Sequence, residues 1–453
     1  MIRIDYSQQS IMIVGAGRTG VALCRYFATR GAAVTLSDSR PIEKLTGLDE
    51  LVRLGIALDL GGHTSAKFLA SDLIVISPGV SLQLPALKAA AAARIPILGE
   101  IEIACREFDV PLIAITGTNG KSTTTTLIGA IYSAWGKHPF VGGNLGTPLI
   151  EATEHGDYDV IVAEISSFQL EAVEQFHPRY ALLLNLSEDH LDRYPDMASY
   201  IAAKREIFKQ MTANDVAILN AEDAHTATFA ETIVAEKIYF SSKRVLPAGM
   251  GCDGTNIIWR YQGDEHRFPI SELRIKGLHN IENVMAALIA PLCDGCPAEL
   301  AWQAVCAFRG LEHRMNLVRV LDGVSWYNDS KGTNVGSVVK SLEGLDPPVT
   351  LIAGGKDKGG DYAPLAGLIS EKVRHLILIG EASERIAAAL GSLTHTVRAP
   401  SLEEAVALAH ELTETGGTVL LSPGCSSFDM FKSYAERGNV FSAAVGRLPE
   451  LPR

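Results

Sequence analysis

A lysine placed between a glycine-rich turn and a helix, just after an apolar strand, can hold the outer phosphates of a nucleotide. Residues 113–126, "IAITGTNGKSTTTT", have that order. Backbone N–H groups at a helix start attract phosphate, and glycines let the chain approach it closely. Gly117, Thr118, Asn119, Gly120, Lys121, Ser122 and Thr123 would form the cradle, with Lys121 on the outer phosphates and the Ser122 hydroxyl on magnesium. The loop is short. A common phosphate loop has a glycine five residues before its Gly-Lys pair, and Ile115 stands there.

A triphosphate site needs a carboxylate for its metal. Glu164 ends the apolar run "DYDVIVAE", and ligands of parallel sheets lie beyond the carboxyl ends of strands. Asp189 and His190 follow a further apolar run in "YALLLNLSEDH". A lone histidine is more often structural than a ligand, but this one sits at a strand end among acids, where it can meet metal or substrate. Lys204, in "AAKREIF", reads on its own as a surface lysine of a helix. Near the C-terminus, Arg314, Lys331, Thr333, Lys358 and Ser427 recur at strand ends and form a candidate anion-binding face. Each alone is an ordinary solvated turn residue.

A second glycine cluster, Gly15, Gly17 and Gly20, lies between a strand and a helix, and Asp38 ends the next strand. This is the fingerprint of a dinucleotide site. It admits three readings: a nicotinamide or flavin, another nucleotide, or glycines that serve only close packing. Arg18 and Thr19 offer a cation and a hydroxyl to a diphosphate.

These groups require strands that deliver them to one edge. Short apolar strands alternate with helical patterns along the whole chain, which predicts α/β layers with mostly parallel sheets. The expected division is a Rossmann-like domain over 1–100, a central P-loop ATPase-like domain over 101–308, and a second Rossmann-like α/β domain over 309–453. Within the central part, residues 238–276 differ: "IYFSS", "NIIWRYQ" and "HRFPI" read as short antiparallel strands.

Composition narrows the function. The chain has 453 residues and a net charge of −12, so non-specific binding to nucleic acid or an anionic membrane is excluded. No apolar run reaches a membrane span of about 18 residues, and "MIRIDYSQQS" does not read as a signal peptide. A cytoplasmic protein is expected. The seven cysteines fit a reducing compartment, and the single CxxC at Cys293 and Cys296 reads as inert because no second pair accompanies it.

Taken in order, "GTNGKSTTTTL", "EISSFQL", "NLSEDHLDRY", "AAK", "GLHNIENVMAAL", "EHR", "NDSKGTN" and "SPGCSSFDMFKSYAERG" resemble the Mur ligase family, the ATP-dependent amide ligases of peptidoglycan synthesis. The resemblance spans essentially the whole chain and is greatest to the branch acting on UDP-N-acetylmuramoyl-L-alanine and D-glutamate. It implies a short GTNGK[ST] loop, so Ile115 ceases to be an objection. It also implies that the first domain holds a UDP end and no redox cofactor. Arg18, Thr19, Asp38, Ser39, Arg40 and Gly79 would then surround uracil and diphosphate, and Asn144 the sugar nucleotide. Lys121 would contact ATP. Ser122 and Glu164 would hold a first magnesium ion and His190 a second, with Lys204 carbamylated as a further ligand. Asn280, Asn283, Arg314 and Asp329 would surround adenosine and phosphates. Lys331, Thr333, Lys358, Ser427 and Tyr434 would receive glutamate. Tyr434 stands where the family pattern has Phe, and "GCSSF" departs from its usual stretch. Small-molecule substrates and a monomer are expected. Three alternatives remain at this point: a related ligase for another amino acid, a nucleotide sensor with a degraded site, and an NAD-dependent dehydrogenase, which leaves everything after residue 100 unexplained.

Overall fold

The computed structural model describes residues 5–45, 47–154, 156–190, 193–275, 277–357 and 359–449. Three sheets organise them. The first holds β1 (Ser10–Val14), β2 (Ala33–Asp38), β3 (Ala57–Leu60), β4 (Leu73–Ile76) and β5 (Ile97–Gly99), in the order β3-β2-β1-β4-β5. All of its pairings are parallel. Order reverses beside β1, which is where a doubly wound sheet opens its ligand crevice.

The second sheet holds β6 (Leu112–Thr116), β7 (Pro139–Gly143), β8 (Val160–Glu164), β9 (Tyr180–Leu183), β10 (Val216–Asn220), β11 (Glu236–Phe240), β12 (Gly249–Cys252), β13 (Asn256–Tyr261) and β14 (Asp264–Pro269). Its order is β14-β13-β12-β11-β10-β9-β6-β8-β7. β6, β8 and β9 are buried along their whole lengths, as strands covered on both faces must be, while β7 at the sheet edge alternates. The antiparallel part is smaller than the sequence suggests. β11, read above as antiparallel, pairs parallel with β10 and β12, and only β12, β13 and β14 alternate direction. A five-residue strand does not disclose its partner's direction.

The third sheet holds β15 (Asn316–Leu321), β16 (Val324–Asn328), β17 (Val349–Gly354), β18 (Val373–Ile379), β19 (His395–Arg398) and β20 (Thr418–Leu421), ordered β15-β16-β20-β17-β18-β19. Its strands send alternate residues to two cores. Ile352, Ile377, Ile379, Val419 and Leu421 pack with Trp326 and Phe441 on one face. Leu351, Leu376, Leu378 and Leu420 pack with Leu342 and Ile369 on the other.

The described chain forms two compact units. One comprises Met1–Asn185, Tyr200–Ser271 and Glu282–Cys306, and so contains the first two sheets; the other comprises Leu186–Ser199, Glu272–Ile281 and Ala307–Arg453. Among the described residues no helix is long and apolar enough to cross a membrane.

Candidate active site

The phosphate loop is built as the sequence predicts. β6 ends at Thr116, and helix Lys121–Ala134 begins after Gly120, which is left-handed at φ +88°. A side chain at position 120 would collide with Asn283 Oδ1, so glycine is required there for space as well as for conformation. Lys121 Nζ donates to the carbonyls of Gly117 (2.9 Å) and Thr118 (2.8 Å), so its amine lies over the loop. Ser122 is buried at the first turn of the helix.

β8 neighbours β6 in the same direction, with Glu164 in register with Ile115. Glu164 is 2% exposed, and its Oε1 accepts Asn144 Nδ2 at 2.6 Å. Asn144 therefore touches the metal-ligand candidate of the same unit. Lys204 is no surface lysine. It is 1% exposed on helix Met197–Arg205, its Nζ donates to the Gly117 carbonyl at 2.9 Å, and it lies 4.8 Å from the centre of the Tyr200 ring. Lys121 and Lys204 thus share one acceptor oxygen. One buried and one half-buried ammonium group so placed repel each other.

Asn185 was not singled out by its sequence. Its side-chain oxygen accepts the Asn119 N–H at 2.8 Å, its Nδ2 donates to the Asn119 carbonyl at 3.1 Å, and its own carbonyl accepts the Thr118 N–H. It fastens the loop from the end of β9. Asn283 is buried on helix Leu278–Cys293 and accepts Thr124 Oγ1.

In the first sheet the three glycines divide their tasks. Gly15 makes the turn at φ +99°, Gly17 has open space above it, and a side chain at Gly20 would collide with the Gly15 carbonyl. Open space above the second glycine is what a diphosphate needs. A cleft of about 590 Å³ lies there, bounded by Gly17, Arg18, Arg25, Gly47 and Glu50. Arg18 is exposed and Thr19 half-buried beside it, and Ser39, Arg40 and Gly79 are exposed at neighbouring strand ends. Asp38 does different work. It accepts the Ala16 N–H at 2.7 Å and the backbone and guanidinium of Arg40 at 2.8–2.9 Å. The Arg40 guanidinium holds the Asp38 carboxyl well below its ordinary range. Four donors thus surround this carboxylate and tie it to its own loop.

The second unit carries the other candidates. His190 is left-handed at φ +57°, and its ring nitrogen stands 3.8 Å from Asp189, which also accepts Asn334 Nδ2 at 3.0 Å. Asn280 is buried in the first turn of its helix. Asp329 is buried and accepts Ser341 and Ser422 hydroxyls at 2.8 Å. Burial pushes its carboxyl up to about 6. The folded value lies above the ordinary 3.8, so the protonated form favours folding. This stabilisation is full at low pH and disappears as pH rises through about 6. Asp329→Asn should flatten that part of the curve of melting temperature against pH, and an unchanged slope would place the titration elsewhere.

Lys331 Nζ lies 4.1 Å above the Tyr434 ring. A phenol ring holds a cation as a phenyl ring does, so tyrosine at this position keeps the lysine oriented. Thr333 N–H donates to the Lys331 carbonyl, and Ser427 is buried in the opposite loop. Arg437, missed in the sequence because arginine is by default a surface residue, joins these loops. It is fully buried and donates to Ser330 Oγ and to the carbonyls of Ser330, Cys425 and Ser426 at 2.9–3.2 Å. Burial lowers its guanidinium to about 10, still a cation at neutral pH. Lys358 lies outside the described residues.

Among the described residues no cluster of three or more His, Cys, Asp or Glu side chains could cage a metal. Burial pushes Cys293 up to about 12 and Cys296 up to about 11, so both remain thiols at neutral pH. The oxygens that the phosphate loop offers, a hydroxyl and one carboxylate, fit a hard ion that takes its remaining ligands from water and phosphate, as magnesium does.

Comparison with known proteins gives the family of the chain. Three family descriptions match in order: Mur ligase MurD-like, N-terminal domain, over residues 9–99; Mur ligase middle domain, over 115–291; and Mur ligase, glutamate ligase domain, over 313–425. The chain is 62% identical to UDP-N-acetylmuramoylalanine–D-glutamate ligase of Syntrophotalea carbinolica, over 98% of this chain and 99% of that protein. It is 52% identical to the ligase of the same name from Geotalea daltonii, over 98% and 99%. Among solved structures, UDP-N-acetylmuramate–alanine ligase of Thermotoga maritima shares the fold at a TM-score of 0.58 and 20% identity, over 96% of this chain and 99% of that one. MurF of Acinetobacter baumannii does so at 0.60 and 18%, over 97% and 91%. Three domains matched in sequence, and half or more of the residues shared with full-length relatives, leave one assignment: the chain belongs to the Mur ligase family.

Proposed function

We propose that the chain joins D-glutamate to UDP-N-acetylmuramoyl-L-alanine, cleaving ATP to ADP and phosphate, in peptidoglycan precursor synthesis. The observation that carries this reading is identity of 62% over nearly the full length of a ligase so named. A loop with Lys121, Ser122, Glu164 and Lys204 drawn together in one unit accords with it and speaks against a degraded nucleotide sensor.

A carboxylate is a poor electrophile and must be activated before an amine can attack it. The L-alanyl carboxylate attacks the γ-phosphate of ATP and gives an acyl phosphate and ADP. The glutamate amine then attacks the acyl carbon, phosphate leaves, and the amide remains. The first step brings anions together, so its catalysis is mainly positioning and charge neutralisation. Lys121 supplies one cation on the phosphates. Ser122 and Glu164 would hold one magnesium ion, and His190 and Lys204 a second; such ions screen the developing charge when bound. Lys204 would serve as its carbamate, which exchanges the repulsion beside Lys121 for attraction. Asn280, Asn283, Arg314 and Asp329 serve adenosine and phosphates. Arg18, Thr19, Asp38, Ser39, Arg40, Gly79 and Asn144 serve the UDP sugar. His190 or the departing phosphate takes the proton lost by the amine.

Lys331, Thr333, Lys358, Ser427 and Tyr434 receive glutamate. Lys331→Ala is therefore expected to raise the KM for glutamate by about 10-fold or more while leaving that for ATP near its original value, since removing a charge-assisted contact costs roughly 1.5–3 kcal/mol. Equal changes in both would misplace Lys331. The reaction itself is tested by phosphate release with UDP-N-acetylmuramoyl-L-alanine and a panel of D- and L-amino acids. Turnover with D-glutamate alone is expected, and preference for another amino acid would move the chain to a sister activity. One chain holds every group this scheme uses, so a monomer suffices. Its nucleotide substrates place it in the cytoplasm, and its product serves the wall on which cell shape and division depend. Domain boundaries near residues 100 and 308 accord with the spans of the three sheets.

A further inference from the structure

Glu100 opens the short helix Glu100–Cys105 and is 2% exposed. The reaction gives it no task. A carboxylate out of water is costly unless hydrogen bonds compensate it. Glu100 Oε1 accepts the Ile150 N–H at 2.7 Å, and the Leu149 N–H also bonds to this carboxylate. Burial still pushes it up to about 7. Both amides open the turn Leu149–Thr153. At the start of a helical turn such N–H groups have no partner within the turn, so an acid from another element caps it.

The segment before this turn leads back to Glu164. The Gly143 N–H donates to the Thr147 carbonyl at 2.7 Å, which closes the loop on itself. Gly143 is left-handed at φ +89°, and a Cβ there would press on the Glu164 carbonyl oxygen at 2.5 Å. The Asn144 N–H donates to that same carbonyl at 2.8 Å, and Asn144 Nδ2 donates to Glu164 Oε1 at 2.6 Å. One buried acid grips the end of the loop, and the start of the loop grips another.

We propose that Glu100 is a positioning residue for the metal site. It fixes the segment 143–150, so that Asn144 holds one oxygen of Glu164 and sets the direction in which that carboxylate meets the magnesium ion. This rests on the reading of Glu164 as a metal ligand. A group that orients a ligand without touching the metal commonly changes affinity by 10- to 100-fold when removed.

The test uses the full-length protein with a non-hydrolysable ATP analogue and manganese as the probe. Bound ion is read by electron paramagnetic resonance, without turnover. Glu100→Gln keeps the shape but removes the charge and replaces one of the two accepting oxygens by an N–H₂ that cannot accept. It is expected to weaken manganese binding by about 10-fold and to speed amide hydrogen exchange over 143–153. Asn144→Ala should weaken binding by at least as much. Glu164→Ala tests the underlying reading: wild-type manganese binding in that variant would refute the metal role, and the proposal with it. If Glu164→Ala loses the ion while Glu100→Gln binds it with wild-type affinity, the metal role stands and the proposal fails. If Glu100→Gln does not fold, Glu100→Asp, which draws the carboxylate back by one methylene, must show the weakened binding. Wild-type affinity there likewise overturns the proposal.

Discussion

Lys121→Ala should leave a folded protein that no longer releases phosphate from ATP in the presence of its substrates, with turnover lowered by at least about 100-fold, the scale on which removal of one preorganised charge-stabilising group acts. The geometry supports both halves of the expectation. Lys121 Nζ bonds to two carbonyls of its own loop, and that of Gly117 still accepts Lys204 Nζ when the amine is lost. The loop keeps its other supports, because Asn185 holds the backbone of Thr118 and Asn119. Circular dichroism and melting temperature should therefore change little. Turnover within a few-fold of wild type would remove Lys121 from the chemistry, and loss of fold would show that its carbonyl contacts serve structure first.

The second large effect is expected at Lys204. Alanine there removes a side chain buried between the Gly117 carbonyl and the Tyr200 ring. If the native group is a carbamate, it is a negative ligand, and turnover should fall by roughly the 100-fold that loss of a charge-stabilising group causes. The space left should then admit a short carboxylic acid. Added acetate or formate is expected to restore part of the rate in a saturable way, and the same acids should leave Lys121→Ala inactive. Lys204→Ala that stays inactive at every acid concentration, while still folded, would favour a plain ammonium at this position.

How far the sequence discloses such a site depends on how local its determinants are. The loop, its helix and the strand before it are legible because glycine conformation, helix entry and apolar strand all lie within twenty residues of Lys121. Glu164 is legible because a strand's last residue points to the sheet's edge. Lys204 is not legible by itself. Its burial comes from Tyr200 and from a loop more than eighty residues away in sequence, and without the family resemblance it reads as solvated. Arg437 and Glu100 fail for the same reason: charged residues are presumed exposed until a fold supplies their carbonyl or amide partners. Asp38 marks a different limit, since the sequence does not disclose that Ala16 and Arg40 of its own loop donate to it. β11 shows a third limit, since its direction is decided by neighbours.

The collision that forbids a side chain at Gly120 has a bearing on the order in which this molecule takes shape. The atom in the way belongs to Asn283, and Thr124 on the adjoining helix bonds to the same oxygen. Ten residues that look self-sufficient in the sequence are thus completed by a helix whose residues leave the ribosome much later. Contacts between distant parts of a chain form after local ones. During synthesis the strand, turn and helix around Lys121 can form early, but the loop reaches its final contour only when residues 278–293 have emerged and docked. A growing chain truncated before that helix would carry the phosphate-binding letters without the finished surface they spell.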